Sequence, residues 1–324
     1  MESLALIRKP IEQELQLFRK YFQQSLETSE PYLNQIFSHI SRTNGKLMRP
    51  MLLLLVAKEH GDINQSTFLS AVTLEMLHIA SLVHDDVVDE SNQRRGHASV
   101  NATYGNKVAV LTGDYLLSNS LIKAAQTLSI DIVNHVALLG RQLSSGELLQ
   151  LKNSEQKEFS EESYLDVIRL KTAALFAMSA ELGALSTGAA HDTVERMKHL
   201  GEIIGMCFQI RDDIFDYYED STVGKPTGND MAEGKLTLPI IHALKKENDP
   251  AMLQLAQKVK EGTISSDEIA ILIDYAKKQG GIEYATTRMN QMADEALTLI
   301  ENFRQADVRE ALTHYIHFVT ARTL

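Results

Sequence analysis

The chain is poor in residues that break helices. Its 324 residues include only six prolines and 17 glycines, and Ala, Leu, Ile, Glu, Lys and Gln dominate the segments between them. These residue types favour helices. No convincing alternation of apolar and polar residues indicates a β-strand. The composition therefore predicts an all-α protein.

Cysteines and long apolar runs are also scarce. Cys207 is the single cysteine, and its apolar surroundings in the sequence predict a buried packing residue. A lone thiol is typical of a reducing compartment, so we expect a cytoplasmic protein. The longest purely apolar run, residues 51–57, is far shorter than the roughly 18 to 20 residues that a membrane-spanning helix needs. We expect no transmembrane segment, and the acidic N-terminal stretch does not resemble a signal peptide.

Positive charge is in deficit. The chain has 32 Lys and Arg against 43 Asp and Glu, which gives a formal net charge of -11. Nucleic-acid surfaces carry clustered Lys and Arg in excess. The charge balance therefore excludes a nucleic-acid partner and favours small-molecule ligands.

Apolar residues recur at spacings of three and four residues along most of the chain, which is typical of helices with one buried face. Helix ends are indicated by Gly61, Gly188, Gly280, Ser160 and the helix-starting prolines Pro31 and Pro50. We predict a bundle of about ten or more mostly antiparallel helices around a central cavity. No Pro-rich or Gly/Ser-rich linker divides the sequence, so we expect one domain over residues 1–324. The predicted helical segments are 4–26, 50–59, 65–89, 106–128, 130–151, 161–186, 192–218, 237–245, 251–262, 266–279 and 281–303, with a functional loop over 219–234.

The most informative feature is a duplicated acidic pattern. Residues 85–89 read Asp-Asp-Val-Val-Asp and residues 212–216 read Asp-Asp-Ile-Phe-Asp, and each follows a long apolar helical segment. On a helix, positions i, i+1 and i+4 project from one face, so each pattern presents neighbouring carboxylates. Such carboxylates repel one another unless a cation lies among them. A carboxylate set without His or Cys at ligand spacing favours Mg²⁺.

A single acidic run at a helix end is more commonly a solvated face. Its duplication in the same sequence context favours the metal interpretation here. Several cations also lie near the acids in sequence. Taken singly each would be a surface charge, but as a set they predict an anion site. They are Lys46, Arg49, Arg94, Arg95, Lys171, Lys225 and Lys235.

Seven strings in fixed order carry a family resemblance: GKLMRP, LEMLHIASLVHDDVVDE, RRGHAS, GDYLL, RLKTAALF, FQIRDDIFDYYED and GKPTGNDMAEGKLTLPI. From Gly45 to Ile241 the chain resembles the trans-polyprenyl diphosphate synthases. The resemblance implies Mg²⁺ bound by four aspartates, with two further aspartates in support and Lys171 as a catalytic cation. The implied ligands are Asp85, Asp89, Asp212 and Asp216, and the supporting residues are Asp86 and Asp213.

The resemblance also implies the substrates. An isopentenyl diphosphate site maps onto Lys46, Arg49, His78 and Arg95, although His78 alone would be taken for a core histidine. An allylic diphosphate site maps onto Arg94, Lys171, Thr172, Gln209, Lys225 and Lys235. Leu47 stands where family members commonly have a basic residue, so the isopentenyl diphosphate site would be one cation poorer. A homodimer is the implied assembly, and no side-chain nucleophile is needed.

Product length is expected to depend on the helix before Asp85. One helical turn of about 5.4 Å is close to the length of one isoprene unit, and the residues one turn before the acids, Ala80 and Ser81, are small. With these small residues, the family resemblance implies a long product of about C30 to C50, with octaprenyl as the central expectation. The alternatives are a geranylgeranyl-length synthase, a subunit of a heteromeric synthase and a terpene cyclase. Partner subunits typically lack the acidic motifs, and cyclases usually have a mixed second metal site, so both are less favoured.

Overall fold

Residues 2–41, 45–155, 159–218 and 227–320 are described by the computed structural model. This part of the chain contains 17 α-helices, a short 3-10 helix, a π-helix and one two-stranded hairpin. The α-helices are α1 Glu2–Arg8, α2 Glu12–Ser25, α3 Pro31–Ser41, α4 Met48–His60, α5 Gln65–Val88, α6 Val100–Tyr104, α7 Asn106–Gln126, α8 Ile130–Glu155, α9 Glu161–Ile168, α10 Ala174–Ser186, α11 His191–Phe215, α12 Asn229–Ala232, α13 Leu238–Glu247, α14 Pro250–Lys260, α15 Ser266–Lys278, α16 Gly281–Ile300 and α17 Ala306–Thr320. The 3-10 helix is Lys9–Ile11, the π-helix is Arg169–Ala173, and the strands are β1 Gln93–Arg94 and β2 His97–Ala98.

The prediction of an all-α protein is confirmed. Helix ends also fall where the sequence indicates them. Ser160 caps α9 by accepting a hydrogen bond from the backbone of Ser163, Pro31 begins α3, and Gly61 follows the last residue of α4. These positions are determined locally, because caps and helix breakers act on their own backbone.

The predicted helical segments are wrong or incomplete in several places, and they omit α3 and α6. The first predicted helix is interrupted at Pro10, which cannot donate a backbone hydrogen bond. The predicted helix 161–186 contains the π-helix. The hairpin of β1 and β2 was not predicted, because strands of two residues are too short to show alternation. Helix α17 was missed although Val308, Leu312 and Tyr315 recur at helical spacing and are fully buried.

The described helices form two compact units. Unit one comprises Met1–Arg141, Leu175–Gly201 and Asn302–His314, and unit two comprises Gln142–Ala174, Glu202–Glu301 and Tyr315–Leu324. The first acidic pattern belongs to unit one and the second to unit two. That the chain forms a single domain stays a prediction.

Helix α5 is the central element of unit one and packs mainly against α7 and α4. Asn64 and Thr67 form a reciprocal capping box that fixes its start. By length and composition α5 could cross a membrane, but 72% of its most apolar window is buried inside the protein. A core helix of a globular protein passes the same test.

In unit two, α13 packs against α15 and α16, and Ser265 and Glu268 form a capping box at the start of α15. Cys207 of α11 is buried, as predicted, and its Sγ donates to the carbonyl of Met289 at 3.5 Å. Burial raises the pKa of this thiol to about 12. Cys207 is therefore a packing residue without reactive thiolate character.

Candidate active site

The first acidic pattern lies at the C-terminal end of α5. Asp85 is half-buried, Asp86 is buried and Asp89 is exposed. The backbone N–H of Asp89 donates to the carbonyl of Asp85 at 2.8 Å, so the first and last aspartates lie one helical turn apart. No basic residue lies in the last turn of α5. Because a helix C-terminus carries partial negative charge, these carboxylates are electrostatically unfavourable unless a cation compensates them.

Asp86 is held by the hairpin that follows α5. The Nε of Arg94 donates to Asp86 Oδ1 at 2.9 Å, and the side chain of Asn101 donates to the Asp86 carbonyl at 3.1 Å. Burial raises the pKa of Asp86, and the hydrogen bond and charge of Arg94 oppose that rise. The cation predicted for the allylic diphosphate thus pairs with the middle aspartate of the first pattern.

The hairpin turn brings two of the predicted cation motifs together. Arg95 and Gly96 both have positive φ, 52° and 77°, as a two-residue turn of the primed type requires. The Arg95 guanidinium lies against Gly45, where an added Cβ would be 2.6 Å from an Nη atom. Any other residue at position 45 would therefore displace Arg95.

His78 and Arg49 are paired on facing helices. Arg49 Nη1 lies 3.0 Å from His78 Nε2, and since arginine only donates, His78 accepts and carries its proton on Nδ1. Burial, then the charges of Arg49, Arg95 and Arg94, hold the pKa of His78 well below its usual range. The Arg49 guanidinium also stacks over the Phe176 ring at 4.8 Å. His78 is thus a neutral hydrogen-bond acceptor that orients Arg49, and its role is not limited to packing in the core.

A cavity of about 810 Å³ in unit one is bordered by this polar cluster. Its other walls come mainly from α2 and α3, where apolar residues such as Phe18, Phe22 and Phe37 stand beside polar residues such as Arg19 and Asn34. Glu75, which sequence reasoning missed, lines the cavity one turn before His78. Burial raises the pKa of Glu75, while Arg49 and Arg95 lower it. Its position on the His78 face of α5 was the signal that could have found it.

The second acidic pattern lies at the C-terminal end of α11. Asp212 is exposed, Asp213 is buried and Asp216, just beyond the helix, is half-buried. Both patterns therefore share one arrangement, in which the first and last aspartates are accessible and the middle one is inside the protein.

Asp213 accepts hydrogen bonds at both carboxylate oxygens. Tyr164 OH donates to Oδ2 at 2.6 Å, and Gln209 Nε2 donates to Oδ1 at 2.7 Å. Thr172 in turn donates to Gln209 Oε1 at 2.7 Å. The structure thus brings together the predicted residues Thr172, Gln209 and Asp213, and adds Tyr164.

The acids of this cluster have perturbed pKa values. Burial, reinforced by Asp212 and Asp216, raises the pKa of Asp213 to about 7 despite the Tyr164 and Gln209 hydrogen bonds. Burial and then Asp213 and Asp216 raise the pKa of Asp230 well above its usual range, and Lys235 opposes this. Asp230 was missed as a site residue, although it lies within the GKPTGNDMAEGK string. The raised pKa values reflect burial together with the closeness of several carboxylates.

Asp216 is fixed by the segment that follows. Its carboxylate accepts from the backbone N–H groups of Asn229 at 2.9 Å and Asp230 at 3.0 Å. Gly228 has φ of 77°, and a Cβ there would lie 2.3 Å from the Ile269 side chain, so only glycine fits the turn into α12. The predicted loop 219–234 thus contains a short helix. Its residues 219–226, with Lys225, lie outside the described residues.

Three other predicted cations have distinct surroundings. Lys171 lies in the π-helix and its Nζ is 2.7 Å from Glu147 and 3.1 Å from Gln150 on α8. Lys235 pairs with Glu233 at 2.7 Å. Lys46 is exposed just before α4. To bind an incoming anion, each of these lysines would have to break its present contacts or share them with the anion.

Comparison with known proteins identifies the family. Residues 30–276 match the family model described as polyprenyl synthetase. The chain belongs to the polyprenyl synthetase family. The resemblance to trans-polyprenyl diphosphate synthases is thereby confirmed, and the chain is a prenyltransferase of isoprenoid biosynthesis.

Individual relatives of this synthase cover nearly the whole chain. Octaprenyl diphosphate synthase of Haemophilus influenzae is 32% identical over 313 residues, which are 96% of this chain and 94% of the relative. The crystal structure of a decaprenyl diphosphate synthase from Rhodobacter capsulatus is 30% identical with a TM-score of 0.92 and covers 99% of both chains. The crystal structure of geranylgeranyl pyrophosphate synthase from Bacteroides thetaiotaomicron is 47% identical with a TM-score of 0.88 and covers 99% of this chain and 100% of that one. The all-α isoprenoid synthase fold is therefore established.

The acidic residues of the synthase fit a magnesium ion by their chemistry. Among the described residues, no three His, Cys, Asp or Glu side chains are grouped so as to hold a metal ion by themselves. Each pattern instead offers two accessible carboxylates. Mg²⁺ usually takes one or two carboxylates and completes its shell with water and substrate phosphate oxygens.

The predicted chain-length residues lie on α5 of the synthase. Ala80 is 2% exposed. Ser81 is half-buried, and its hydroxyl donates to the carbonyl of His78 at 2.9 Å. Ser81 is one helical turn before Asp85, so its side chain lies on the same face of α5.

Proposed function

We propose that this chain is a Mg²⁺-dependent, cytoplasmic prenyltransferase that elongates an allylic diphosphate, such as farnesyl diphosphate, with isopentenyl diphosphate. The proposed product is a long-chain all-trans polyprenyl diphosphate of about C30 to C50, with octaprenyl as the central expectation. The observation that carries the proposal is the shared arrangement of the two acidic patterns. In each, the first and last aspartates are accessible while the middle one is buried and hydrogen-bonded.

This arrangement is costly without a cation. Both patterns lie at helix C-termini, where the helix dipole disfavours anions, and neither helix has a basic residue in its last turn. Asp213 has its pKa raised to about 7 by burial and by its acidic neighbours. Carboxylate clusters that are unfavourable on their own are typical of sites that bind a divalent cation. We propose Asp85, Asp89, Asp212 and Asp216 as the ligands.

The cations of unit one support binding of isopentenyl diphosphate, the substrate that supplies each added isoprene group. Arg49 is oriented by neutral His78, and Arg95 lies against Gly45 at the cavity. With Lys46 they would bind the diphosphate of isopentenyl diphosphate. Arginine suits this role because its planar fork donates two parallel hydrogen bonds to phosphate oxygens.

The allylic diphosphate would be bound by a second set of residues. The π-helix carries two of them, Lys171 and Thr172, and π-helical turns occur frequently at functional sites. The proposed contacts are Arg94, Lys171, Thr172, Gln209, Lys225 and Lys235.

The reaction breaks the bond between C1 and oxygen of the allylic diphosphate, which leaves a delocalised carbocation and inorganic diphosphate. The double bond of isopentenyl diphosphate then attacks C1, and a proton is lost to the departing diphosphate. Bound Mg²⁺ would neutralise the charge that develops on the leaving group. The fixed arginines and lysines contribute to the same stabilisation, since preorganised charge acts most strongly in the transition state.

Relatives favour a long product. The names of curated relatives include octaprenyl diphosphate synthase from Escherichia coli, 31% identical, and all-trans-nonaprenyl-diphosphate synthase from Rhodobacter capsulatus, 33% identical. Ala80 and Ser81, about one turn before Asp85, are small, which supports room for a long chain beside this part of α5. A large residue there would be expected to stop elongation early.

A geranylgeranyl-length product is the second candidate. It is favoured by the solved structure named geranylgeranyl pyrophosphate synthase, which is 47% identical to this chain. The chemistry of each condensation is the same for both candidates, and they differ in where elongation stops.

We also propose that the chain forms a homodimer. One face of α7 packs against α5, while a stripe of large apolar residues on α7 is exposed. The stripe comprises Val110, Leu111, Leu117, Leu121 and Ile122. Exposed apolar patches of this kind mark association surfaces. Light scattering of the purified protein tests the assembly, and Leu121→Glu should shift it toward the monomer.

The decisive experiment is product analysis. The purified chain is incubated with farnesyl diphosphate, isopentenyl diphosphate and Mg²⁺, and the products are dephosphorylated and separated by chain length. Long products support the proposal, whereas geranylgeraniol alone supports the second candidate. A heteromeric relative, heptaprenyl diphosphate synthase component 2 of Geobacillus stearothermophilus, is 34% identical. Activity of the chain without any partner would therefore also decide against a heteromer.

A further inference from the structure

Tyr164 contacts the second aspartate cluster, although it lies outside the sequence strings that contain the two acidic patterns. It lies in α9 and is 8% exposed, and its hydroxyl donates to Asp213 Oδ2 at 2.6 Å. Burial, then the charge of Asp213, raises the pKa of Tyr164 well above its usual range. The hydroxyl therefore keeps its proton and donates a hydrogen bond at any physiological pH.

Helix α9 is itself anchored. Glu161 in its first turn accepts from Tyr284 OH of α16 at 2.9 Å and lies 3.9 Å from Arg288 Nε of the same helix. Ser160 caps the helix by accepting from the backbone of Ser163. Tyr164 follows these anchors by about one turn, so the position of its hydroxyl is set by α16 and not by the acidic pattern.

The opposite oxygen of Asp213 is fixed by the far end of the same segment. The π-helix that follows α9 places Thr172 against Gln209, which donates to Asp213 Oδ1. The backbone N–H of Ala174 bonds to the carbonyl of Arg169, five residues earlier, as in a π-helix. The stretch from Tyr164 to Thr172 therefore holds both oxygens of the buried Asp213 carboxylate, one directly through Tyr164 and the other through Gln209.

Asp213 lies between the two proposed cation ligands of this cluster. Asp212 precedes it and Asp216 follows it by three residues, so the rotation of the last turn of α11 decides where both carboxylates point. An Asp213 side chain that turned outward would compete with Asp212 and Asp216 for a cation.

We propose that Tyr164 is a positioning residue of the second aspartate cluster, which holds Asp213 inside so that Asp212 and Asp216 are presented together to a divalent cation. The inference rests on the function proposed above, because it takes those two aspartates as cation ligands. Residues that orient metal ligands without touching the metal typically change metal affinity by about 10- to 100-fold when they are mutated.

Tyr164→Phe removes only the hydroxyl and tests the inference. The matched control is Tyr217→Phe, because Tyr217 is also buried in unit two, and among the described residues its hydroxyl bonds to Thr237, at 3.1 Å, and not to an aspartate. Two quantities are measured: the Mg²⁺ concentration for half-maximal turnover, and the rise in melting temperature on adding Mg²⁺ with inorganic pyrophosphate. The second readout needs no turnover.

We expect Tyr164→Phe to raise the half-saturating Mg²⁺ concentration about 10-fold or more and to reduce the melting-temperature rise. The KM for isopentenyl diphosphate should stay close to that of the wild type. Tyr217→Phe should keep the wild-type Mg²⁺ dependence. The inference is overturned by an unchanged Mg²⁺ dependence in Tyr164→Phe, by equal changes in both variants, or by a wild type that shows no response to Mg²⁺ with pyrophosphate.

A double-mutant cycle with Asp213→Asn tests whether Tyr164 acts through Asp213. Adding Tyr164→Phe to Asp213→Asn should change the Mg²⁺ dependence much less than it does in the wild type. Additive effects would contradict the inference. If Tyr164→Phe alone does not fold, the cycle is run with Thr172→Val, which removes the hydrogen bond that Thr172 donates to Gln209. A wild type that binds Mg²⁺ with pyrophosphate but makes no prenyl product would refute the proposed function and leave the role of Tyr164 to be decided by the melting data.

Discussion

The two acidic patterns have the same sequence spacing but are compensated in different ways. In the first, the buried middle residue Asp86 is paired with a cation, Arg94. In the second, the buried middle residue Asp213 accepts hydrogen bonds from two neutral donors, Tyr164 and Gln209. A further acid, Asp230, interacts with Asp213 and also has a raised pKa. Arg94 therefore partly neutralises the first cluster, and under the proposed function we expect the second cluster to depend more on the bound cation.

The same sequence pattern can therefore have a different electrostatic environment at each of its two positions. A neutral hydrogen bond orients a carboxylate without cancelling its charge, whereas a guanidinium does both. We therefore expect metal removal to affect the second cluster more strongly, and the four predictions below test or sharpen that contrast.

The largest expected effect is loss of turnover on removing a ligand. Asp85→Ala and Asp212→Ala should each lower kcat by about 10² to 10³-fold, as loss of one transition-state stabilising group does in other enzymes. If both clusters serve one reaction, the double variant should be little worse than either single variant, because groups that act as a unit are not additive. Steady-state kinetics measure this, with Asp274→Ala at an exposed position of α15 as the control. Near-normal turnover in either single variant would remove that cluster from the proposed mechanism.

The second prediction concerns the residues one turn before each pattern. Ser81 precedes Asp85 and Phe208 precedes Asp212 by four residues. If only α5 borders the growing chain, Ser81→Phe and Ala80→Phe should shorten the product by several isoprene units, while Phe208→Ala should leave its length unchanged. Chromatography of the dephosphorylated products measures both. An unchanged product with phenylalanine at position 80 or 81 would contradict the chain-length assignment.

The third prediction compares the middle aspartates by pH. Asp213 has a pKa of about 7 in the folded protein, against about 3.9 in an unfolded chain. The folded state therefore binds this proton more tightly, and the contribution of Asp213 to stability is lost as pH rises from about 4 through about 7. The melting temperature of metal-free protein should fall over this range, and Asp213→Asn should flatten the fall more than Asp86→Asn.

Adding Mg²⁺ with pyrophosphate should oppose the same fall, since a bound cation favours the charged carboxylates. Equal slopes for the wild type and Asp213→Asn would show that another group causes the pH dependence.

The smallest effect is expected from introducing a positive charge at Leu47 in unit one. Leu47 has positive φ, 56°, and lines the cavity near Arg95. Leu47→Lys places a cation where the family resemblance implies one and should lower the KM for isopentenyl diphosphate by about two- to fivefold, the range of a solvent-exposed ion pair. Leu47→Gln controls for the change in shape. A lower KM in both variants would assign the effect to shape and not to charge.

Prediction from the sequence succeeded where the signal is local. The periodicity, Ser160, Gly61 and the acidic patterns each act within one or two turns, and the helices end where these residues indicate. The family strings also led to the correct family. Ala80 and Ser81, the cation roles and Mg²⁺ itself stay predictions.

Prediction was incomplete where the backbone departs from regular geometry. The π-helix at Arg169–Ala173 has the same composition as its flanking α-helices, so no residue type announces it. The β1–β2 hairpin is too short for a periodic signal, although Arg95-Gly96 supplies a glycine at its turn. Glu75 and Asp230 were visible in the quoted strings but were not assigned a role.

The sequence by itself determined that the chain is helical and that two groups of three aspartates lie at helix ends, because each follows from residue type and spacing along one helix. Only the tertiary structure decided which aspartate of each triplet is buried and what holds it. Tyr164 and Asp213 are 49 residues apart and Arg49 and His78 are 29 apart. Such pairs depend on how each helix is rotated against its neighbours, and that rotation is set by side-chain packing over the whole core.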